Sequence, residues 1–487
     1  MKKKNLLFIF TDEQAVNTMK CYGNSKIKTP NMDRLAEESF IFEKAYVTQP
    51  VCTPSRSTLM TGLYPHTNGC TENNIPLQHE TPCLTEMGDL SSYRKAYYGK
   101  WHLGDEVFNQ HGFDEWKSIE DTYNQYYSEG KDKSKVSSYN NFLIEQGMKP
   151  DVKNKGYFSR QFSARLPEQL SKPAYLANEA IDFLEKNDSN PFILYVNFFE
   201  PHMPYFSCRD DQYSLEDIEL PPNFHHELGD DHPLKLLAFK QALYDNGHSG
   251  LSLKTEGDWK KLISNYWGLV SLVDTHLGRI LDKVEELNLL EDTIIIYTSD
   301  HGDMMGSHQL TAKCTMFEEA VKVPLLMRIP GLENNGKKII EPVSQIDLVP
   351  SILDAMEQDI PNTMQGYSLI PFLKEQGELV EKDVFIEWNG MNGGFGDVVG
   401  GAKVPKSSLK VGERDQIVKS LGDPVRTIIT PEGWKYSWST IGDDELYNLN
   451  EDPYEMNNLV KNTEYRSVID DLKLRIKNWK ERTKDIA

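Results

Sequence analysis

Asn5-Leu6-Leu7-Phe8-Ile9-Phe10, running into Thr11-Asp12-Glu13, is the stretch whose reading decides the fold. After Lys2-Lys3-Lys4 it imitates a signal peptide, but Thr11-Asp12-Glu13 breaks the apolar run before a full hydrophobic region forms. It reads instead as a first strand, apolar on both sides and therefore covered on both. Similar runs recur at Phe192–Phe199, Thr293–Thr298 and Val323–Ile329, each too dense for a one-sided strand. Helical patterns separate them: Pro30–Ser39 with Thr29 as a cap, Ala174–Lys186 and Trp267–Leu287. The class predicted is α/β, a large mixed, mostly parallel sheet sandwiched by helices.

Further along, Val425–Thr430, Trp434–Ser439 and Glu445–Leu449 read as short strands and Arg466–Thr483 as a helix. They predict a smaller C-terminal domain of antiparallel sheet plus helix. With 487 residues the chain exceeds what one growing core holds. The expected division is a catalytic domain over 1–380 and a C-terminal subdomain over 381–487. Segments 118–158 and 205–258 are polar and weakly periodic, and read as insertions over the sheet edge that shape access. Around Glu387–Gly401 a Gly-rich stretch reads as a loop between the two domains.

The net charge of −21 and a pI near 5.1 argue against a nucleic-acid partner, which needs a basic face. An anionic substrate then requires a local basic pocket. Six irregularly spaced cysteines suggest neither a disulfide framework nor a zinc knuckle. No run of about 18 apolar residues occurs, so no membrane span is expected. The interrupted first run points to the cytoplasm; a leader preceding this sequence would change that to the periplasm or the exterior.

Asp12 follows the first strand directly, and Asp300-His301-Gly302-Asp303 follows Thr293–Thr298 directly. Both acids thus sit at carboxyl ends of buried strands, where open α/β sheets bind ligands. Alone, either would be a turn former or cap. Converging carboxylates suit a hard divalent cation, Ca²⁺ or Mg²⁺. Cys52-Thr53-Pro54-Ser55-Arg56 continues to Thr61-Gly62. Pro54 suits a first helical position and Gly62 a stop, which sets residue 52 at a helix N-terminus that favours an anion.

Three more segments complete the pattern: Gly99-Lys100-Trp101-His102, then Pro201-His202-Met203-Pro204-Tyr205, then Lys313 ahead of Met316-Phe317-Glu318-Glu319. In this order, and with Glu445-Leu446-Tyr447-Asn448-Leu449 near the end, they resemble the type I, formylglycine-dependent sulfatases of the alkaline-phosphatase-like superfamily. The resemblance covers nearly the whole chain. It implies that a maturase oxidises Cys52 to Cα-formylglycine, and that Asp12, Asp300, His301 and the modified residue 52 ligate one divalent cation. Ca²⁺ is the expected ion and Mg²⁺ the alternative, since imidazole is a less usual partner for Ca²⁺. Many members have a second Asp where this chain has Glu13, whose longer side chain either reaches the ion or points elsewhere.

By the same resemblance Arg56, Lys100 and Lys313 line the sulfate site. His102 bonds the formylglycine hydrate, His202 protonates the leaving alcohol and Asp300 acts as base. The activity implied is hydrolysis of sulfate monoesters, on a sulfated sugar or small alcohol, releasing inorganic sulfate. A phosphonate or phosphate diester hydrolase of the superfamily is the alternative, and an inactive carbohydrate-binding relative with unmodified Cys52 is the non-enzymatic one. Trp388, Asn389 and the insertion carrying His225 and His226 are where substrate specificity is expected.

Overall fold

The computed structural model describes residues 3–186, 190–332, 335–390 and 404–487. Residues 391–401 of the expected Gly-rich loop lie outside the described residues. Eight strands form the central sheet, in the order Lys338–Ile339, Phe40–Phe42, Leu325–Arg328, Thr293–Ser299, Asn5–Asp12, Phe192–Pro201, Arg94–Gly99 and Glu115–Ser118. Only Leu325–Arg328 runs against the rest, so the sheet is mixed and mostly parallel as expected.

Asn5–Asp12 sits in the middle, paired with Thr293–Ser299 on one side and Phe192–Pro201 on the other, and every one of its residues is buried. Successive side chains on a strand point to opposite faces, so both faces of the sheet are covered. The helices Lys172–Glu185 and Glu256–Glu286 pack on Phe192–Pro201. Among the described residues no helix is long and apolar enough to cross a membrane.

Two local expectations are corrected. Thr29 does not cap its helix: its hydroxyl is buried without a partner, and Asp274 Oδ1 instead accepts from the N–H groups of Asn31 and Met32 at 3.0 and 2.7 Å. The run Val323–Ile329 is broken at Pro324, which has no N–H to donate. Lys322–Val323 pairs with Ala45–Tyr46 in a small separate sheet, and Leu325–Arg328 joins the central one.

The C-terminal strands Val384–Trp388, Val425–Ile429, Trp434–Ser439 and Glu445–Asn448 form an antiparallel sheet. Against it lies the helix Arg466–Thr483, whose Trp479 stacks on Phe385 at 5.0 Å. Ile428, Tyr436, Leu446 and Ile476 complete that second core.

The register of the parallel strands decides where the loops emerge. Thr11 lies opposite Ser299, Asp12 opposite Pro201 after a local bulge, and Gly99 opposite Asn197. Four adjacent strands therefore end together. At one of those ends Gly99 has φ +138°, and a Cβ there would stand 2.2 Å from the Asn197 carbonyl oxygen. Gly99→Ala must push the two strands apart, so a loss of about 3 kcal/mol is predicted. Urea unfolding checks this; a variant within about 0.5 kcal/mol of the parent contradicts it.

Candidate active site

Each strand end delivers one group. Asp12 closes Asn5–Asp12, Lys100 follows Arg94–Gly99, His202 follows Phe192–Pro201, and Asp300 and His301 follow Thr293–Ser299. Facing them, Cys52 is the first residue of the helix Cys52–Thr61. That helix begins two residues before Pro54, earlier than expected, and Gly62 ends it in the left-handed region at φ +66°. Ser55 fixes the helix against the strand end by donating to the Asp300 carbonyl and, at 3.1 Å, to Gln345 Oε1.

Arg56, one turn into this helix, holds the strand ends together. Its Nε donates to Asp300 Oδ2 and its Nη2 to Asp12 Oδ2, both at 2.8 Å. Nη1 donates to the Lys100 carbonyl at 2.6 Å and to Asn197 Oδ1 at 2.7 Å. Lys100 Nζ adds a bond of 2.5 Å to Asp12 Oδ2. All these side chains are buried. Burial pushes the Asp12 carboxyl up, but Lys100, His202, Arg56 and Lys313 together outweigh it and hold the group well below the usual carboxylate range. Burial lowers Lys100 in turn, and Asp12 more than restores it.

One oxygen of each aspartate is thus anchored, which leaves the other pointing at a common centre. Asp12 Oδ1 lies 3.6 Å from Cys52 Sγ, and His301 Nε2 lies 3.2 Å from Sγ, 3.6 Å from Asp300 Oδ1 and 3.8 Å from Asp12 Oδ1. His301 Nδ1 donates to the Gly302 carbonyl at 2.9 Å, so the lone pair of Nε2 faces the centre. Asp12, Cys52, Asp300 and His301 present ligand atoms within 4.8 Å of one another. Two carboxylates, an imidazole and residue 52 around one buried point make a donor set that fits a single divalent ion.

Glu13 belongs to a neighbouring group with Asp12 and His202. At φ +69° its backbone turns the side chain aside, so Oε2 stands 3.4 Å from both Lys313 Nζ and His202 Nε2, while Oε1 is buried with no hydrogen-bond partner. Burial pushes Glu13 well above its usual value, with Lys313 opposing. Lys313 Nζ also reaches Cys52 Sγ at 3.1 Å and His202 Nε2 at 3.2 Å. His202 Nδ1 donates to the Met203 carbonyl at 2.9 Å, so Nε2 is the acceptor that faces Lys313. His102 Nε2 meets Asn74 Oδ1 at 3.0 Å, its ring stacks on Tyr123 with centroids 4.1 Å apart, and its Nδ1 has no partner. Burial, aided by Lys313 at His202 and by Lys100 at His102, keeps both imidazoles neutral.

Comparison with known proteins gives the family: a family model described as Sulfatase covers residues 4–358. The chain belongs to the sulfatase family. It is 27% identical to an ulvan-active sulfatase of Formosa agariphila over 96% of this chain and 80% of that protein. A solved structure of a protein in complex with its substrate D-glucosamine-2-N,6-O-disulfate superposes with a TM-score of 0.77 at 23% identity, covering 100% of this chain and 99% of that one. The phosphonate monoester hydrolase of Agrobacterium radiobacter superposes with a TM-score of 0.77 at 21% identity, over 99% and 96% of the two chains.

In this sulfatase the site opens through a cleft of about 250 Å³ that reaches Cys52, His102, His202 and Lys313. Its outer wall is Asn73, Asn74, Thr122, Tyr123, Gln125 and Arg160, none of them singled out in the sequence. For Thr122, Tyr123 and Gln125 the signal available was the Tyr-rich segment 118–158, read as an insertion; Asn73, Asn74 and Arg160 lie outside it. The residues expected to set specificity lie elsewhere. Trp388 is fully buried with Lys235 Nζ 4.0 Å above its ring, and Asn389 donates to Gln49 Oε1 at 2.8 Å. His226 faces His308, with the two Nδ1 atoms 3.0 Å apart, and His225 is exposed beside Glu256. A larger hollow of about 530 Å³ between Tyr22, Lys322 and Asn450 holds none of the site residues.

Arg56→Lys keeps the charge, but one ammonium cannot serve both carboxylates, Asn197 and the Lys100 carbonyl together. A loss of about 3–5 kcal/mol is predicted, as when one partner of a buried pair is removed. Chemical unfolding measures it; a loss below about 1 kcal/mol contradicts the role given to Arg56.

Proposed function

We propose that this sulfatase removes sulfate from a sulfated saccharide, using residue 52 after its conversion from cysteine to Cα-formylglycine by a separate maturase. Sulfate ester hydrolysis is the activity of the family. The observation that carries the finer reading is the setting of Cys52 at a helix N-terminus, with Sγ among Asp12, His301 and Lys313 and inside the donor set that fits a divalent ion. Burial, then Asp12, pushes the Cys52 thiol up to about 11, so as cysteine it stays protonated and weakly nucleophilic. The Formosa relative is named for ulvan and the superposed structure holds a disulfated glucosamine, which favours a sugar as the alcohol.

Asp12, Asp300, His301 and residue 52 would hold one divalent ion, Ca²⁺ before Mg²⁺, with Glu13 turned towards Lys313 and His202. Such an ion supplies positive charge for the sulfate oxygens and lowers the pKa of a bound hydroxyl. The converted residue supplies a hydrated aldehyde, with one hydroxyl to attack sulfur and a second whose deprotonation lets sulfate depart. Lys313, within reach of residue 52 and His202, binds a sulfate oxygen and shares a proton with His202 Nε2. Lys100, locked to Asp12, contributes its charge from below. His202 passes the proton to the leaving oxygen, and His102, with Nδ1 unpartnered, accepts one from residue 52. Both oxygens of Asp300 are engaged, by Arg56 and by the Glu13 N–H at 3.0 Å, so we assign it to holding the ion and not to the role of base.

The decisive experiment pairs mass spectrometry with turnover. The peptide containing residue 52 should be about 18 Da lighter than its cysteine form, and the converted protein should release sulfate from an aryl sulfate and a sulfated saccharide. Cys52→Ala should lose at least about 10³-fold in rate while remaining folded. A variant with near-normal turnover overturns the assignment, and faster hydrolysis of phosphate or phosphonate diesters than of sulfate monoesters favours the alternative.

A further inference from the structure

Arg160 lines the cleft but takes no part in the chemistry described above. Its Nε donates to Glu120 Oε2 at 2.8 Å, and its Nη2 lies 2.6 Å from that oxygen and 2.7 Å from Tyr123 Oη. Nη1 has no hydrogen-bond partner among the described residues. Glu120 is shared: Lys172 also contacts it, from a position 4.3 Å above the Phe199 ring. The guanidinium also packs on this ring, 4.8 Å from its centroid.

Two cations therefore stand against one carboxylate. Two further acids stand near Lys172: Glu200, pushed up to about 7 by burial, and Asp121, pushed up to about 6 by burial and taken up by the Ser137 N–H and hydroxyl at 2.6 and 2.8 Å, and neither bonds Lys172 or Arg160 as Glu120 does. The rest of the outer wall offers amides and hydroxyls, from Asn73, Asn74, Thr122, Tyr123 and Gln125, with no carboxylate among the lining residues. In a chain of net charge −21 this is a local positive surplus at the mouth of the site. Glu120, Tyr123 and Phe199 hold the guanidinium plane in place, so its free edge is ready to pair with an anionic group without first ordering the side chain. The cleft, at about 250 Å³, is smaller than the usual 300–1,000 Å³ small-molecule site and accommodates one compact unit.

The geometry points to Arg160 as the residue that reads a second anionic substituent, a sulfate or a carboxylate, on the same sugar unit that carries the sulfate to be cleaved. This inference rests on the saccharide reading above. It makes the preferred substrate doubly anionic, with the cleaved ester at residue 52 and the retained group at Nη1.

The test uses full-length protein in which conversion of residue 52 has been verified, with glucosamine 6-sulfate, glucosamine 2-N,6-O-disulfate and a sulfated uronic acid compared by kcat/KM. Preference for a doubly anionic sugar over the monosulfate is expected, the favoured partner telling sulfate from carboxylate. In Arg160→Gln that preference should fall at least tenfold, mainly through KM. Because Arg160→Gln leaves Glu120 buried beside Lys172 alone, the double variant E120Q/R160Q is measured too and should show the same fall. Arg160→Lys should recover part of it, since an ammonium keeps the charge without the fork. A preference that survives in the folded variants, or a parent protein that cleaves the monosulfate equally well, overturns the proposal. Turnover of the aryl sulfate but of none of the sugars contradicts both the proposal and the saccharide reading. Equal loss on aryl sulfate and on every sugar in the variants reduces Arg160 to a structural role and overturns the proposal alone.

Discussion

Two carboxylates buried at the ends of adjacent parallel strands cannot stay charged unless a cation is buried with them, and Arg56 is that cation. A guanidinium is suited because its planar fork serves Asp12, Asp300, Asn197 and the Lys100 carbonyl at once. Those partners come from four neighbouring strand ends, so one side chain fixes their relative heights. It also sets which oxygen of each aspartate is used up and which is left. The Oδ1 atoms that Arg56 does not hold, that of Asp300 also accepting from the Glu13 N–H, then converge with His301 Nε2 and residue 52. Burying such a group costs several kcal/mol per ion before pairing, and the close bonds of Arg56 and Lys100 offset that cost.

The same arrangement explains how a strongly acidic chain binds an anion. Its negative charge is spread over the surface, while Arg56, Lys100 and Lys313 are all drawn inside. Arg56 and Lys100 are neutralised by the acids they hold, which leaves Lys313 as the cation nearest residue 52. Neutral imidazoles at positions 102 and 202 follow from the same field, since added positive charge in a buried site disfavours imidazolium.

Much of this was legible in the chain because buried parallel strands are written as dense apolar runs, and the residue just past each run is where ligands bind. Leu6–Phe10 leading to Asp12, and Thr293–Thr298 leading to Asp300, are such cases. Gly62 marked the end of the helix that carries residue 52, though the helix starts at Cys52 itself. What could not be read arrives from far along the chain. Asp274 replaces Thr29 as the cap of a distant helix, and Lys235 covers Trp388, which otherwise looks like an open platform for a sugar. Glu13 adopts a left-handed backbone conformation, and its Oε2 stands 3.4 Å from Lys313 and His202, partners that come from far along the chain. Tyr123 lies in a turn and Arg160 opens a four-residue helix, Arg160–Ser163, elements too short to carry a periodicity, so nothing local announces that they flank the cleft. Pro324 was visible, but its effect, dividing one apolar run between two sheets, depends on which partners lie alongside.

The central claim is that Arg56 and the strand ends leave one site for a divalent cation, in which Asp300 is a ligand. Calorimetric titration of Ca²⁺ and of Mg²⁺ into the chelator-treated, converted protein and into Asp300→Asn tests it most directly. The account predicts a single site per chain for at least one of the two ions, weakened about 100-fold or more in the variant. Failure of both ions to bind, or equal affinity in the parent and Asp300→Asn, would contradict it.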